Sequence, residues 1–145
     1  MSIGRIENPI PQGKYVPATR AENFIFTAGM TPRKKGILLC EGKVKTTESI
    51  EIYREAVNQA TLNALTAARN ILKENERFER VLSLTVFINS DEDFKAHSKL
   101  ADFASEFLFQ EIGEAGIGSR TALGVSSLPG NAPVEIQMIL FISTI

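Results

Sequence analysis

Apolar residues between Thr47 and Asn75 recur at steps of three and four: Tyr53, Ala56, Ala60, Ala64, Ala67 and Ile71 share one face. That period predicts an amphipathic helix over 47–75. Glu48 and Glu51 fall in its first turn, where a carboxylate favours the positive end of the helix dipole. The alanines suit close packing on a sheet. Phe94, Ala101, Ala104, Leu108 and Ile112 form a second helical stripe. Ser90 and Asp93 match a capping box that opens this second helix. Gly113, Gly116 and Gly118 end it in a loop of mobile character.

Elsewhere the pattern alternates. Over Val81–Asn89, Leu82, Leu84, Val86 and Ile88 face one way, while Ser83, Thr85 and Asn89 face the other with Phe87 among them. Over Val134–Ile142, Val134, Ile136, Met138, Leu140 and Ile142 share a face opposite Glu135, Gln137, Ile139 and Phe141. Shorter strands are predicted near Tyr15–Ala18, over Phe24–Ala28 closing on Gly29, over Ile37–Cys40 and over Thr121–Ser127. Asn8, Pro9, Pro11, Gln12 and Gly13 form an opening loop, Pro32 to Gly36 a basic turn, and Leu128 to Ala132 a turn.

The order of strands, helix, strand, helix, two strands points to an α+β fold. A single domain over 1–145 is expected, with both helices in one layer on a mixed sheet. The free face carries Phe87, Ile139 and Phe141, too apolar for water, so a second copy of the chain is expected to cover it. The formal net charge of -1 argues against nucleic acid as the main partner. Cys40 is the single cysteine, which excludes an intrachain disulfide. Met1–Pro9 has no apolar signal core, and no run approaches the roughly 18 apolar residues of a membrane span, so the cytosol is the expected compartment.

Familiar catalytic patterns are missing. His97 is the lone histidine, which leaves no pair for a metal and reads best as a solvated residue in the second helix. Neither a nucleophile elbow nor a phosphate-binding glycine loop is present. Cys40 reads as packing. Arg120 follows the glycine-rich loop and opens a strand. Its guanidinium either forks onto a carboxylate or makes an ordinary surface ion pair. Glu135 shares a strand face with Ile139 and Phe141. It is either an acid/base carboxylate with its charged form disfavoured, or an ordinary exposed strand residue. Tyr15 either packs or donates to a ligand. If the last two strands form a hairpin, position 126 faces Glu135 and Arg120 lies roughly 20 Å away. Then either the strands do not pair so, or a site using both residues lies between subunits.

Arg120-Thr121-Ala122-Leu123-Gly124-Val125, then Leu128-Pro129, then Val134-Glu135-Ile136, resembles the C-terminal signature of the RidA/YjgF family, also known as endoribonuclease L-PSP-like. Gly13-Lys14-Tyr15-Val16 resembles its N-terminal motif. Thr27-Ala28-Gly29-Met30-Thr31-Pro32 resembles its glycine turn, and Val86-Phe87-Ile88 with Asp93-Phe94 its middle strand and helix start. The resemblance implies a chorismate-mutase-like α+β fold and a homotrimer with clefts between subunits. It implies hydrolytic deamination of reactive 2-imino or 2-enamino acids to 2-keto acids and ammonia. Arg120 would hold the substrate carboxylate and Glu135 would position or activate the water. Tyr15 would line the cleft, backbone at Gly29 and Ala122 would meet the ligand, and Phe87 would complete the substrate-binding positions. No metal or organic cofactor is implied. Ala28, Met30, Ser98, Gly118, Thr121 and Ala122 depart from the usual residues and mark a divergent branch. Two other readings stay open: a non-catalytic, ligand-binding regulatory trimer, and hydrolysis of a larger or cyclic substrate in the same cleft. A ribonuclease would need a basic groove and an aromatic-basic stripe, which the sequence lacks.

Overall fold

Strand β5, Glu76–Asn89, is the spine of the computed structural model, which describes residues 6–145. The part of Met1–Pro9 before Ile6 lies outside the described residues. On one side β5 pairs antiparallel with β7, Val134–Thr144; on the other it pairs parallel with β6, Ser119–Val125. Beyond β7 lie β2, Phe24–Thr27, and β1, Ala18–Ala21, giving the order β1-β2-β7-β5-β6. A parallel neighbour needs a crossover, and α2, His97–Ile112, supplies it between β5 and β6. Helix α1, Arg54–Arg69, precedes β5. Val57, Ala60, Ala64 and Ala68 of α1, Leu100, Ala104 and Leu108 of α2, and Val134, Ile136, Met138 and Leu140 of β7 belong to one buried core. Both helices therefore cover one face, as the sequence pattern requires.

Several boundaries differ from the sequence reading. The first helix is shorter at both ends. A 3-10 turn, Ile50–Tyr53, leads into it, capped by the Ser49 hydroxyl, which accepts from the Glu51 N–H at 3.3 Å. At its far end the Asn70 amide donates to Ile6 O at 2.7 Å and Asn8 Oδ1 at 2.8 Å, tying the turn to the opening loop. The capping box at Ser90 and Asp93 does not form. Ser90 instead bridges to Val44, and α2 starts only at His97. Strand β5 starts five residues earlier than 81, and its register slips twice, between Phe78 and Arg80 and between Val81 and Ser83. The second slip turns Val81 into the core and leaves Leu82 37% exposed, so Leu82 does not share the face of Leu84. The glycine-rich segment is packed rather than loose: Gly113–Gly116 forms a 3-10 turn, and a Cβ on Gly118 would collide with the Val81 carbonyl oxygen. The first strand begins at Ala18, so Tyr15 precedes it.

The basic turn is a two-residue hairpin between β3, Arg33–Lys34, and β4, Ile37–Leu38. Lys35 and Gly36 at its tip both have positive φ (54° and 82°), as a tight hairpin of this kind demands. On the uncovered sheet face Phe24 and Phe26 are exposed, and Phe87, Ile139 and Phe141 are half-buried. Phe24 and Phe141 stack edge to face, ring centroids 5.2 Å apart. Among the described residues no helix is long and apolar enough to cross a membrane.

Candidate functional site

Glu135 is the second residue of β7 and points to the uncovered face, because its neighbours Val134 and Ile136 are fully buried beneath the helices. Phe87 is its register partner on β5 and stands beside it on that face. On the other side β2 stops at Thr27, whose hydroxyl oxygen accepts from the Met138 N–H at 3.0 Å. The chain rejoins β7 at Met30, which exchanges backbone hydrogen bonds with Ile136 at 2.7 and 2.9 Å. Ala28 and Gly29 fill the gap between these anchors, and the Glu135 carboxylate lies over Gly29. A Cβ at position 29 would stand 2.8 Å from Glu135 Oε2 and 2.9 Å from Cδ, so only glycine leaves the carboxylate where it is.

A cavity of about 320 Å³ opens here, with Glu135, Tyr15, Gly29, Thr31, Arg33 and Pro129 in its wall. The Tyr15 hydroxyl accepts from the Gln12 N–H at 2.9 Å, which leaves its own proton free to donate. Glu135 makes no ion pair or side-chain hydrogen bond among the described residues. Burial pushes its carboxyl above the usual value of 4.5. The structure thus joins three of the expected positions, Glu135, Tyr15 and Gly29, with Phe87 adjacent.

Arg120 and Ala122 are elsewhere. The last two strands do not form a hairpin, because β5 runs between them. Arg120 pairs with Leu84 and Ala122 with Val86, both core-facing, so Arg120 and Ala122 lie on the helix side of the sheet. Within one chain the Arg120 and Glu135 backbones are two strands and three residues apart, about 14 Å, on opposite faces. The guanidinium is occupied: Nη1 donates to Asp102 Oδ1 at 2.8 Å and Ser105 Oγ at 3.0 Å, and Nη2 to Ser98 O at 3.1 Å and Ser98 Oγ at 2.9 Å. These bonds tie the edge strand β6 to α2. Asp102 is 56% exposed, so an incoming carboxylate can displace it at little cost.

Two residues of the cavity escaped the sequence reading. Arg33, part of the basic turn, lines the wall. Asn63 is buried on the alanine face of α1 and donates to Thr31 O at 3.1 Å and Arg33 O at 2.8 Å, fixing the hairpin against the helix. A polar residue on an otherwise apolar stripe was the available signal for Asn63. His97 is not mid-helix but opens α2, half-buried, stacked edge to face on Phe94 at 5.0 Å. Burial raises the Cys40 thiol above its usual range, with Glu55 adding to the effect, in keeping with packing. Among the described residues no cluster of His, Cys, Asp and Glu could hold a metal.

The comparisons with known proteins agree with this arrangement. A crystal structure of the Agrobacterium tumefaciens protein Atu1372, of unknown function, superposes with a TM-score of 0.81 at 30% identity, covering 93% of this chain and 87% of that one. A RutC family protein of Aquifex aeolicus is 27% identical over 133 residues, 90% of each chain. TdcF of E. coli with bound serine shares the fold, with a TM-score of 0.63 at 21% identity over 94% of this chain and 93% of that one. Residues 5–142 match the family described as Endoribonuclease L-PSP, and the chain therefore belongs to this family, that of YjgF and RidA.

Proposed function

We propose that the protein hydrolyses reactive 2-imino and 2-enamino acids to 2-keto acids and ammonia, in clefts between the subunits of a homotrimer. The observation that carries this reading is the Glu135 carboxylate: half-buried, without a counter-ion, and over a glycine that leaves it room. A carboxylate whose pKa is raised toward neutrality can take a proton from water and return it to a leaving amine. The imine carbon gains the water oxygen, the C–N bond breaks, and the protons end on ammonia. Such hydrolysis already proceeds in water, so holding substrate and water in register is the main service required. A regulatory binder has no need of an unpaired carboxylate, which favours the catalytic reading.

Arg120 is the substrate's carboxylate clamp in this proposal. Because it cannot reach Glu135 of its own chain, the clamp comes from a neighbouring copy. The uncovered apolar face and the free edge of β6 supply surfaces for such a neighbour. That TdcF is a fold relative with bound serine supports a small amino-acid-like ligand.

A coupled assay tests the reading. A threonine dehydratase generates 2-iminobutanoate, and 2-keto acid release is followed with and without the protein. Acceleration is expected with wild type and not with Arg120→Ala or Glu135→Gln. Mixed trimers of these two inactive variants should recover about a quarter of the sites, each pairing one chain's Glu135 with a neighbour's Arg120. No acceleration by folded wild type sinks the small imino acid as substrate, and no recovery in mixed trimers sinks the shared site.

A further inference from the structure

Arg33 has no role in the chemistry proposed above, yet it is the cation nearest to hand in the Glu135 cavity. Its Nη1 donates to Gly36 O at 2.8 Å, which closes the hairpin tip. Its Nε is buried and has no partner, the only buried side-chain nitrogen or oxygen in that condition among the described residues. Arg33 forms no ion pair among the described residues. Leaving a guanidinium N–H buried and unbonded carries a real penalty, and the surroundings hold it there. Asn63 pins the Arg33 carbonyl, Gln59 in turn donates to Asn63 Oδ1 at 2.9 Å, and Gly130 leaves room for Nη2, which would stand 2.9 Å from a Cβ there.

Arg33 also lies in the wall shared by two cavities. The second, about 300 Å³, adds Lys34, Lys35 and the Asn63 amide to the lining. The field at this wall is therefore positive, while the single carboxylate on the Glu135 side disfavours its own charge. The cavity that holds Glu135 has space for roughly ten non-hydrogen atoms at the volume of liquid water. A short monocarboxylic imine leaves part of that space empty, whereas a four- or five-carbon imino dicarboxylate fills it.

We infer that Arg33 receives a second carboxylate of the substrate, so that this protein prefers 2-imino or 2-enamino dicarboxylic acids over the short monocarboxylic ones. The inference rests on the proposed reading of the cavity as an acid site, and it assigns the two ends of the substrate. Arg120 of the neighbouring copy holds the carboxylate next to the imine carbon, and Arg33 holds the distal one. A planar guanidinium with an unbonded edge suits that task, since charge-assisted bonds form there without reorganisation.

Stable 2-keto acids test this without the short-lived substrate. Titration calorimetry on the full-length wild-type protein compares 2-oxoglutarate with 2-oxobutanoate. Wild type should bind 2-oxoglutarate about 10-fold or more tightly, the gain expected of one charge-assisted pair. In Arg33→Gln the ratio of the two affinities should fall toward one, and Arg33→Lys, which keeps a cation, should restore part of it. Thermal unfolding of each variant controls for the lost hairpin bond, and Arg33→Lys keeps the test open should Arg33→Gln fail to fold. Equal affinities in wild type, or a ratio that Arg33→Gln leaves intact, overturn the inference while the deaminase reading stands on 2-oxobutanoate binding. Binding of neither acid to wild type overturns both.

Discussion

Replacing Gly29 by alanine separates the position of the Glu135 carboxylate from the stability of the fold. The added Cβ would lie 2.8 Å from Oε2, 2.9 Å from Cδ and 3.2 Å from Cγ. Restoring ordinary contact at 3.4 Å requires the carboxylate to retreat by about 0.6 Å into the cavity. Catalytic groups tolerate about 0.5 Å, and a misplacement of about 1 Å costs ~10²-fold, so a loss of ~10- to 100-fold in kcat is expected. Stability should barely move. Gly29 is not in the left-handed region, so alanine gains ~0.4–1 kcal/mol through the unfolded chain, offsetting the displaced side chain. The dehydratase-coupled assay and a thermal melt read the two effects apart. In a Glu135→Gln background the same alanine should cost almost nothing, because the group it displaces no longer acts. A folded Gly29→Ala protein with wild-type kcat, or an equal loss in both backgrounds, would refute the claim that this carboxylate's placement sets the rate.

Other outcomes follow from the same geometry. Glu135 has a raised folded pKa, so as pH rises past 4.5 the unfolded chain releases its proton first and ionisation costs the folded state. Glu135→Gln should therefore raise the melting temperature at pH 7, with the gain vanishing below about pH 4; a gain that persists in acid would point to another cause. Activity should rise with pH through the raised Glu135 pKa, read as kcat against pH. Glu76 shows the opposite sign: two hydrogen bonds from Arg20, then one from the Lys73 N–H, hold it down to about 2. The stabilisation it gives is complete above 4.5 and is lost as pH falls to about 2, so the melting temperatures of Glu76→Gln and wild type should converge across that window. Asp102→Asn removes the anion that competes for Arg120 and should lower the KM for the imino acid by up to ~5-fold, with kcat little changed; a raised KM would mean that Asp102 orients the clamp.

Where the fold was legible, it was legible through burial. The alternation over Val134–Ile142 matches the structure residue for residue, because β7 has helices on one side only and any slip would bury Glu135 and Gln137. The alanine stripe of α1 reports a real close approach to β7. The failures occur where backbone geometry or distant partners decide. Nothing local announces the bulge that turns Leu82 outward. The Ser90-Asp93 pattern satisfies a helix-start rule, but Ser90 is already committed to a bridge with Val44, a contact across more than forty residues. The packed glycine turn looked mobile because Gly116 and Gly118 were read as freedom. Their role is to let the backbone touch Leu108 and Val81.

The site divides in the same way. Glu135, Tyr15 and Gly29 converge because two anchors, Thr27 on Met138 and Met30 on Ile136, stop and restart the β2 side of β7 around the carboxylate. A motif can mark those three positions, since they lie on neighbouring strands and a loop of one chain. Arg120 obeys a different logic. Its sequence spacing to Glu135 suggests a pair, but β5 intervenes and the alternation of side chains places the two on opposite faces. Residues with nothing to do with each other inside one subunit can still be one functional unit if the sheet face meets another subunit's edge. Arg33 is the reverse case: it reads as a basic loop residue in sequence, and only the helix face behind it, through Asn63, shows that its position is fixed. A buried Nε without a partner costs the fold something at all times. A surface loop arginine could escape that cost by turning into water. That this one is held in the cavity wall is why we assign it to the ligand rather than to the hairpin.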